Sequence, residues 1–362
     1  MTPLPRPLLD LDLRRAHVSI VTGSYGAGHD AAARELARHF RDAGCDVSVH
    51  DVAELLPCRL GPLLRRAYYA QLRMWPGSWD TTLRRLEPGR WLHRAATDGL
   101  SLGAGPVARA VAGADLVVTT HPFGAQALGH ARRRGWLSAP AVTYLTDASV
   151  HALWVHPDVD AHLAIHEVAA EQARAYGVRA VAVRPMVPPL RAAPDPLAAL
   201  EIVGLRALVV GGSLGIGELE ESARDILATG LMTPVVVCGT NAALKARLDA
   251  MPGVVALGWR DDVPALLASS DCVVQNAGGF TSLEALQSGA PVITYRPIPG
   301  HGRANADCLD RAGLVPWARG LDELGAALRA AAGQPRSNRI PDGAPTVVDT
   351  LTGHVGDPLE AA

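Results

Sequence analysis

Lysine is almost missing from this chain of 362 residues: Lys245 stands alone beside 33 arginines. Any cationic contact to a phosphate therefore falls to Arg, His or backbone N–H groups. The bias runs along the whole chain, as the coding bias of a GC-rich genome would. Aromatics are also scarce, 16 in all, so a local cluster of them stands out. The five cysteines, Cys45, Cys58, Cys238, Cys272 and Cys308, are odd in number, widely spaced and without a C-x-x-C. That excludes a disulfide framework and suits a reducing cytoplasm. Cys45, Cys238 and Cys272 lie in or beside apolar, strand-like runs, as buried free thiols would. No stretch approaches the ~18 uninterrupted apolar residues of a membrane span, and the N-terminus lacks the apolar core of a signal peptide. A net charge of −2 with 48% hydrophobic residues excludes a disordered tail protein and a broadly basic nucleic-acid binder. The expected location is cytoplasmic, free or peripheral on the cytoplasmic membrane face.

What is present is regular alternation. At roughly 150 residues per domain, the length suggests two domains. Strands are expected at His17–Val21, Asp46–His50, Leu116–Thr120, Ala141–Leu145, Ala161–Ile165 and Arg179–Val183. A second series covers Arg206–Val210, Val235–Cys238, Val254–Leu257, Cys272–Gln275 and Val292–Tyr295. Helical stretches between them include Asp30–Ala43, Ala169–Tyr176, Leu219–Ala228, Asn241–Ala250, Val263–Ala268 and Ser282–Gln287. Such alternation means parallel sheets with helices on both faces. The Pro-rich stretch Pro185–Pro196 reads as a linker. The expectation is an α/β fold of two Rossmann-like domains, residues 1–187 and 197–335, facing across a cleft. A tail follows at 336–362, with one helical prospect at Thr346–Leu351.

Three glycine-rich turns join a strand to a helix. The first, Thr22 to His29, offers close backbone approach and helix N–H groups to an anion. It is not a clean G-x-G-x-x-G, and Asp51 is a poor ribose ligand, so a nicotinamide cofactor is not expected. His29, at the mouth of this loop, suits a general base but equally a helix N-cap or a solvent-facing histidine. The second turn, Val210 to Gly217, suits a diphosphate, with Ser213 adding a hydroxyl; it lacks the Gly-Lys-Ser/Thr of a P-loop. The third runs from Asn276 through Gly278 and Gly279 to Ala285. There Glu284 is either the capping-box partner of Thr281 or a bidentate acceptor for a ribose diol. His162 and His166 fall in one strand-like run, about 13 Å apart. Asp158 and Asp160 spell D-x-D, a pattern that Asp10 and Asp12 repeat in the N-terminus. No metal site is expected from them.

Residues 59–94 hold eight arginines against Asp80 and Glu87, and five of the 16 aromatics. The segment thus carries +6, and the other 326 residues carry −8. Arg65, Arg66, Tyr68, Arg73, Trp75 and Trp79 would serve an anionic membrane surface at ~1 kcal/mol per basic residue. RNA binding uses similar ingredients, though no nucleic-acid partner is expected, and a packing helix would look the same.

In order along the chain stand Gly26-Ala27-Gly28-His29, Thr120-His121-Pro122-Phe123 and Thr146-Asp147, followed by His151, Trp154-Val155-His156-Pro157 and Asp160. Then come Gly211-Gly212-Ser213, Val237-Cys238-Gly239 with Asn241, Gly258-Trp259, the Thr281 to Glu284 helix, and Pro299-Gly300 with Asn305. Over residues 17–317 this constellation resembles the monogalactosyldiacylglycerol synthase family of GT-B glycosyltransferases and, more distantly, the peptidoglycan enzyme that adds N-acetylglucosamine to a lipid-linked sugar. The resemblance implies inverting transfer from a nucleotide sugar, UDP-linked in kind, to a lipid hydroxyl such as diacylglycerol, without metal or other cofactor. His29 or Asp147 would be the base, with Gly28, His121, His151 and Trp154 on the acceptor side. Gly212, Ser213, Gly279 and Thr281 would hold the diphosphate and Glu284 the ribose. Asn241, Trp259 and Arg260 would lie near the base, and His301 and Asn305 by the sugar. Where the family has Pro-Gly-Gln-Glu this chain has His301 and Gly302 after Pro-Gly, which leaves galactose, glucose and N-acetylglucosamine open. A GT-B enzyme acting on a small specialised metabolite, a nucleotide-sugar epimerase, or a non-transferring relative are the alternatives.

Overall fold

The computed structural model describes residues 12–13, 15–57, 60–74, 78–189, 194–200, 202–276, 279–340 and 344–352; the side chains of 27, 68–74, 78–80, 83 and 199 lie outside the description. The chain divides into two compact units, one reaching to Met186 and resuming after Ile340, the other Val187–Ile340.

In the N-terminal unit the strands are β1 (His17–Thr22), β2 (Asp46–Asp51), β3 (Leu116–Thr119), β4 (Ala141–Leu145), β5 (Ala161–Ala164) and β6 (Ala180–Ala182). The helices are α1 (Ala27–Asp42), α2 (Val52–Leu55), α3 (Leu60–Met74), α4 (Ser78–Arg85), α5 (Trp91–Ser101), α6 (Ala104–Ala110), α7 (Pro122–Arg133) and α8 (Glu167–Ala175). The sheet is parallel, in the order β2-β1-β3-β4-β5-β6. β3 and β4 are buried at every position, as central parallel strands covered on both faces must be. Edge strand β2 has no fully buried residue, which its polar sequence Asp46–Asp51 tolerates.

The C-terminal unit adds β7 (Arg206–Val210), α9 (Leu219–Thr229), β8 (Thr233–Val237), α10 (Ala242–Asp249), β9 (Val255–Leu257) and α11 (Val263–Ser269). It continues with β10 (Cys272–Gln275), α12 (Phe280–Gln287), β11 (Val292–Tyr295), α13 (His301–Arg311), β12 (Trp317–Ala318) and α14 (Leu321–Ala332). Its order, β12-β11-β10-β7-β8-β9, is the doubly wound Rossmann arrangement. Its core packs Val209, Val236 and Val274 of three strands against Leu219, Ile226, Leu324 and Leu328 of α9 and α14.

The polypeptide then returns to the first unit as α15 (Val347–Thr352), where Val347 and Leu351 are buried and the Arg184 N–H donates to the Pro345 carbonyl at 2.9 Å. Cys45, Cys238 and Cys272 are the buried free thiols expected; Cys308, for which no such expectation was drawn, is buried too, and Cys58 lies outside the described residues.

Four expectations need correction. The two-residue strand β12 was too short to leave a sequence signal. β5 ends at Ala164, and His166 caps α8 by accepting the Ala169 N–H at 3.1 Å, so His162 and His166 do not share a strand. α12 starts two residues early, with Gly279 as N-cap and no side-chain capping bond; Thr281 is inside the first turn, so no Thr281–Glu284 capping box forms. α1 starts at Ala27 behind Gly26, so His29 lies within the first turn and is not the cap.

Candidate active site

In a doubly wound sheet, ligands bind beyond the carboxyl ends of the strands, where the strand order reverses. In the N-terminal sheet that point lies between β1 and β3, and in the C-terminal sheet between β7 and β10. The three glycine-rich turns follow β1, β7 and β10. Topology therefore selects the same loops that the motifs selected.

The first loop is braced from inside. Asp30 accepts from the Thr22 hydroxyl at 2.9 Å and the Ser24 hydroxyl at 3.1 Å. Asp51 is committed to the Ala53 and Ser24 N–H groups, at 2.8 and 3.3 Å, which removes it as a ribose ligand. So held, the loop presents His29 toward the ends of β3 and β4. Its Nδ1 lies 2.9 Å from the Thr120 carbonyl and 2.9 Å from the Thr146 hydroxyl. Gly28 precedes it in the first turn of α1.

Under this histidine is an aromatic floor. His121 meets His29 edge-on at 4.7 Å, stacks on Tyr25 at 4.9 Å, and caps α7 by accepting the Phe123 N–H at 3.1 Å. Burial holds its imidazole well below 6.5, and the neighbouring His29 and His151 push the same way. A Cβ on Gly23 would sit 2.5 Å from the His121 ring, so the loop closes on it directly. Trp154 is fully buried, 5.8 Å from His29, and donates from Nε1 to Asp147 at 3.1 Å. His121 and Trp154, expected to meet an acceptor, are thus supports beneath His29. His151 is half-buried beside Trp154 at 6.3 Å.

The basic segment starts at this loop. The Tyr25 hydroxyl donates to the Gly61 carbonyl at 3.1 Å, and Arg65 reaches the Ser24 carbonyl at 3.5 Å. Arg65 is therefore turned toward the loop, whereas Arg66 is exposed. Trp75 and the side chains of Tyr68, Arg73 and Trp79 lie outside the described residues.

In the C-terminal unit, Gly212 has a left-handed φ of 72° and open space where a Cβ would point, leaving its backbone accessible. Gly215, at φ 55°, has no such space: a Cβ there would lie 2.1 Å from the Cys238 carbonyl. The β7 and β8 loops thus pack backbone on backbone, joined by the Thr240 N–H donating to Ser213 at 2.9 Å. Gly215→Ala should accordingly lower the stability of this unit by about 2–3 kcal/mol, against about 1 for Gly212→Ala, in urea unfolding. Equal effects would contradict the packing.

Asn241 spends both ends of its amide locally, accepting the Leu244 N–H at 3.0 Å and donating to the Gly215 carbonyl at 3.0 Å. It shapes the loop and is not free to read a base. Asn276 plays the same part at β10, donating to Ile216 at 2.7 Å. Trp259 is 56% exposed with Nε1 on Asp261, and Arg260 pairs with Asp262. Thr281 and Glu284 are half-buried along α12, and His301 is half-buried at the start of α13. Asn305 is fully buried.

Sequence reading gave no functional role to Asp30, Thr120, Thr146 or Asn276, although the last three open quoted motifs and Asp30 follows one directly. Among the described residues no group of three or more His, Cys, Asp or Glu side chains could hold a metal ion. A separate cavity of about 240 Å³ in the N-terminal unit is lined by His93, His130, Arg133, Val155, His156 and Tyr176, among others.

Two parallel Rossmann-like sheets with these loops define the GT-B class of glycosyltransferase fold. Over 94% of this chain and 99% of its own, the glycosyltransferase SnogD from Streptomyces nogalater superposes with a TM-score of 0.59 at 19% identity. Medicago truncatula UGT71G1, solved with UDP-glucose, does so with a TM-score of 0.57 at 12% identity, covering 95% and 93%. Residues 29–190 match the family described as monogalactosyldiacylglycerol (MGDG) synthase. A processive diacylglycerol beta-glucosyltransferase of Bacillus cereus (strain ATCC 14579) is 25% identical over 346 residues, 86% of this chain and 84% of the relative. The likeness to the MGDG synthase family inferred from the motifs therefore holds, and it is carried by the N-terminal unit, where His29 lies.

Proposed function

We propose that this protein transfers a sugar, with inversion, from a nucleotide diphosphate sugar to the hydroxyl of a diacylglycerol-type lipid. The observation that carries the reading is the junction of two features at one loop: His29 and the start of the basic, aromatic segment. An imidazole whose Nε2 has no hydrogen-bond partner among the described residues would take the acceptor's proton. As the acceptor oxygen bonds to the anomeric carbon, the bond to the diphosphate breaks on the opposite face. The proton ends on His29, and the nucleoside diphosphate departs. Asp147, tied to Trp154, is read as a supporting carboxylate and not as the base. Gly28 and His151 would border the acceptor.

On the donor side, the open backbone at Gly212, with Ser213, Gly279 and Thr281, would hold the diphosphate at helix starts. Glu284 would take the ribose diol, Trp259 and Arg260 would border the base, and His301 the sugar. Arg66 and the rest of residues 59–94 would hold the protein on an anionic cytoplasmic membrane face; among the described residues no helix is long and apolar enough to cross a membrane.

The test is release of UDP from UDP-glucose, UDP-galactose and UDP-N-acetylglucosamine, with and without vesicles containing diacylglycerol and anionic lipid. Lipid-dependent release with a glycolipid product is expected. Release without acceptor would point to hydrolysis or epimerisation, release only with a small hydroxyl compound to a specialised metabolite, and no release at all would sink the enzyme reading.

A further inference from the structure

The groups around His29 determine more than its place. A carbonyl oxygen can only accept, so the 2.9 Å contact to Thr120 puts the proton on Nδ1 and leaves the lone pair on Nε2. The Thr146 hydroxyl, also 2.9 Å from Nδ1, is a second oxygen on the same N–H. The Thr120 hydroxyl in turn donates to the His29 carbonyl at 3.2 Å, fixing the main chain beneath the ring. The residues following β3 and β4 thus hold His29 at both its backbone and its imidazole. Among the described residues no carboxylate takes this role: Asp30 is bound by Thr22 and Ser24, and Asp147 by Trp154.

We propose that Thr146 is a positioning residue. Together with the Thr120 carbonyl, its hydroxyl holds the His29 ring as the Nδ1–H tautomer with Nε2 aimed outward, doing what a carboxylate does in a catalytic triad. The proposal rests on the reading of His29 as base. When Nε2 takes the proton of the acceptor hydroxyl, the ring becomes an imidazolium, and its Nδ1–H bonds to both oxygens become charge-assisted. Thr146 is 4% exposed, buried behind the His29 ring that it bonds.

Full-length Thr146→Val and Thr146→Ser test this in two ways. The valine variant should lose about ten- to a hundred-fold in kcat with the KM for the nucleotide sugar unchanged, and serine should restore most of the loss. Nitrogen NMR of ¹⁵N-histidine-labelled protein, with His29 assigned by difference from His29→Asn, should show a protonated Nδ1 and an unprotonated Nε2. A protonated Nε2 in active wild-type enzyme, or a valine variant with wild-type kcat, would overturn the proposal. The Nδ1–H tautomer in a chain that transfers no sugar would support the clamp and remove only the transfer reading.

Discussion

His29→Ala should cut lipid glycosylation by about a thousand-fold while leaving UDP binding unchanged. Removing a general base from an oriented site forfeits roughly 10²–10⁴ in rate, and His29 makes its described contacts within the N-terminal unit alone. Its loss cannot be filled by Asp147, whose carboxylate is already engaged by Trp154. The alanine also empties space against the buried His121 and Trp154 rings, so a second variant separates chemistry from packing. His29→Asn keeps an amide N–H for the Thr120 carbonyl but has no basic nitrogen. Both variants should be equally inactive, with UDP affinity by titration calorimetry matching wild type. An active His29→Asn would move the base elsewhere; an inactive alanine with an active asparagine would make His29 structural.

Much of this site was legible because strand-to-helix turns carry their own punctuation. Parallel strands such as Leu116–Thr119 and Cys272–Gln275 are short β-branched runs buried on both faces, and glycine marks where each turns into a helix. Of the eleven expected strands, all appear with limits shifted by two residues at most. Boundaries failed where a side chain and the backbone compete for the same start. Thr281 and Glu284 have capping-box spacing, yet Gly279 is the N-cap and Thr281 falls inside the first turn, with no side-chain capping bond.

Roles were harder to see than places. His121, Trp154, Asn241 and Asn305 are conspicuous residue types within motifs, and all four are spent inside the protein: on a cap, on Asp147, on the loop backbone and in the core. The residues that aim His29 are two threonines, ordinary in a strand end. Their part exists only because β1, β3 and β4 are neighbours in the sheet, a pairing between segments about 100 residues apart that no local pattern encodes.

Acidification should unfold the N-terminal unit by about pH 5 while the C-terminal unit stays folded. His156, His162 and His166 are buried, and burial pushes each imidazole from 6.5 down to about 4. Between those values the unfolded chain binds a proton that the native state refuses. Stability therefore rises with pH through that window and is lost as pH falls. Each of these groups costs the native state about 2 kcal/mol by pH 5, and three together reach the lower part of the roughly 5–15 kcal/mol that holds a domain folded. The C-terminal unit contains a single histidine, His301. Thermal melts from pH 8 to 5 should thus split into an early, pH-dependent transition and a later one that barely moves. His162 is the cleanest handle: its Nδ1 is 3.1 Å from the Arg179 carbonyl and its Nε2 accepts the His156 N–H, with no acid beside it. His162→Gln should lower stability at pH 8 yet flatten the pH dependence of the early transition, since one of several proton-refusing groups, His121 among them, is gone. A first transition with the same pH slope in wild type and variant would show that these imidazoles do not govern the acid sensitivity.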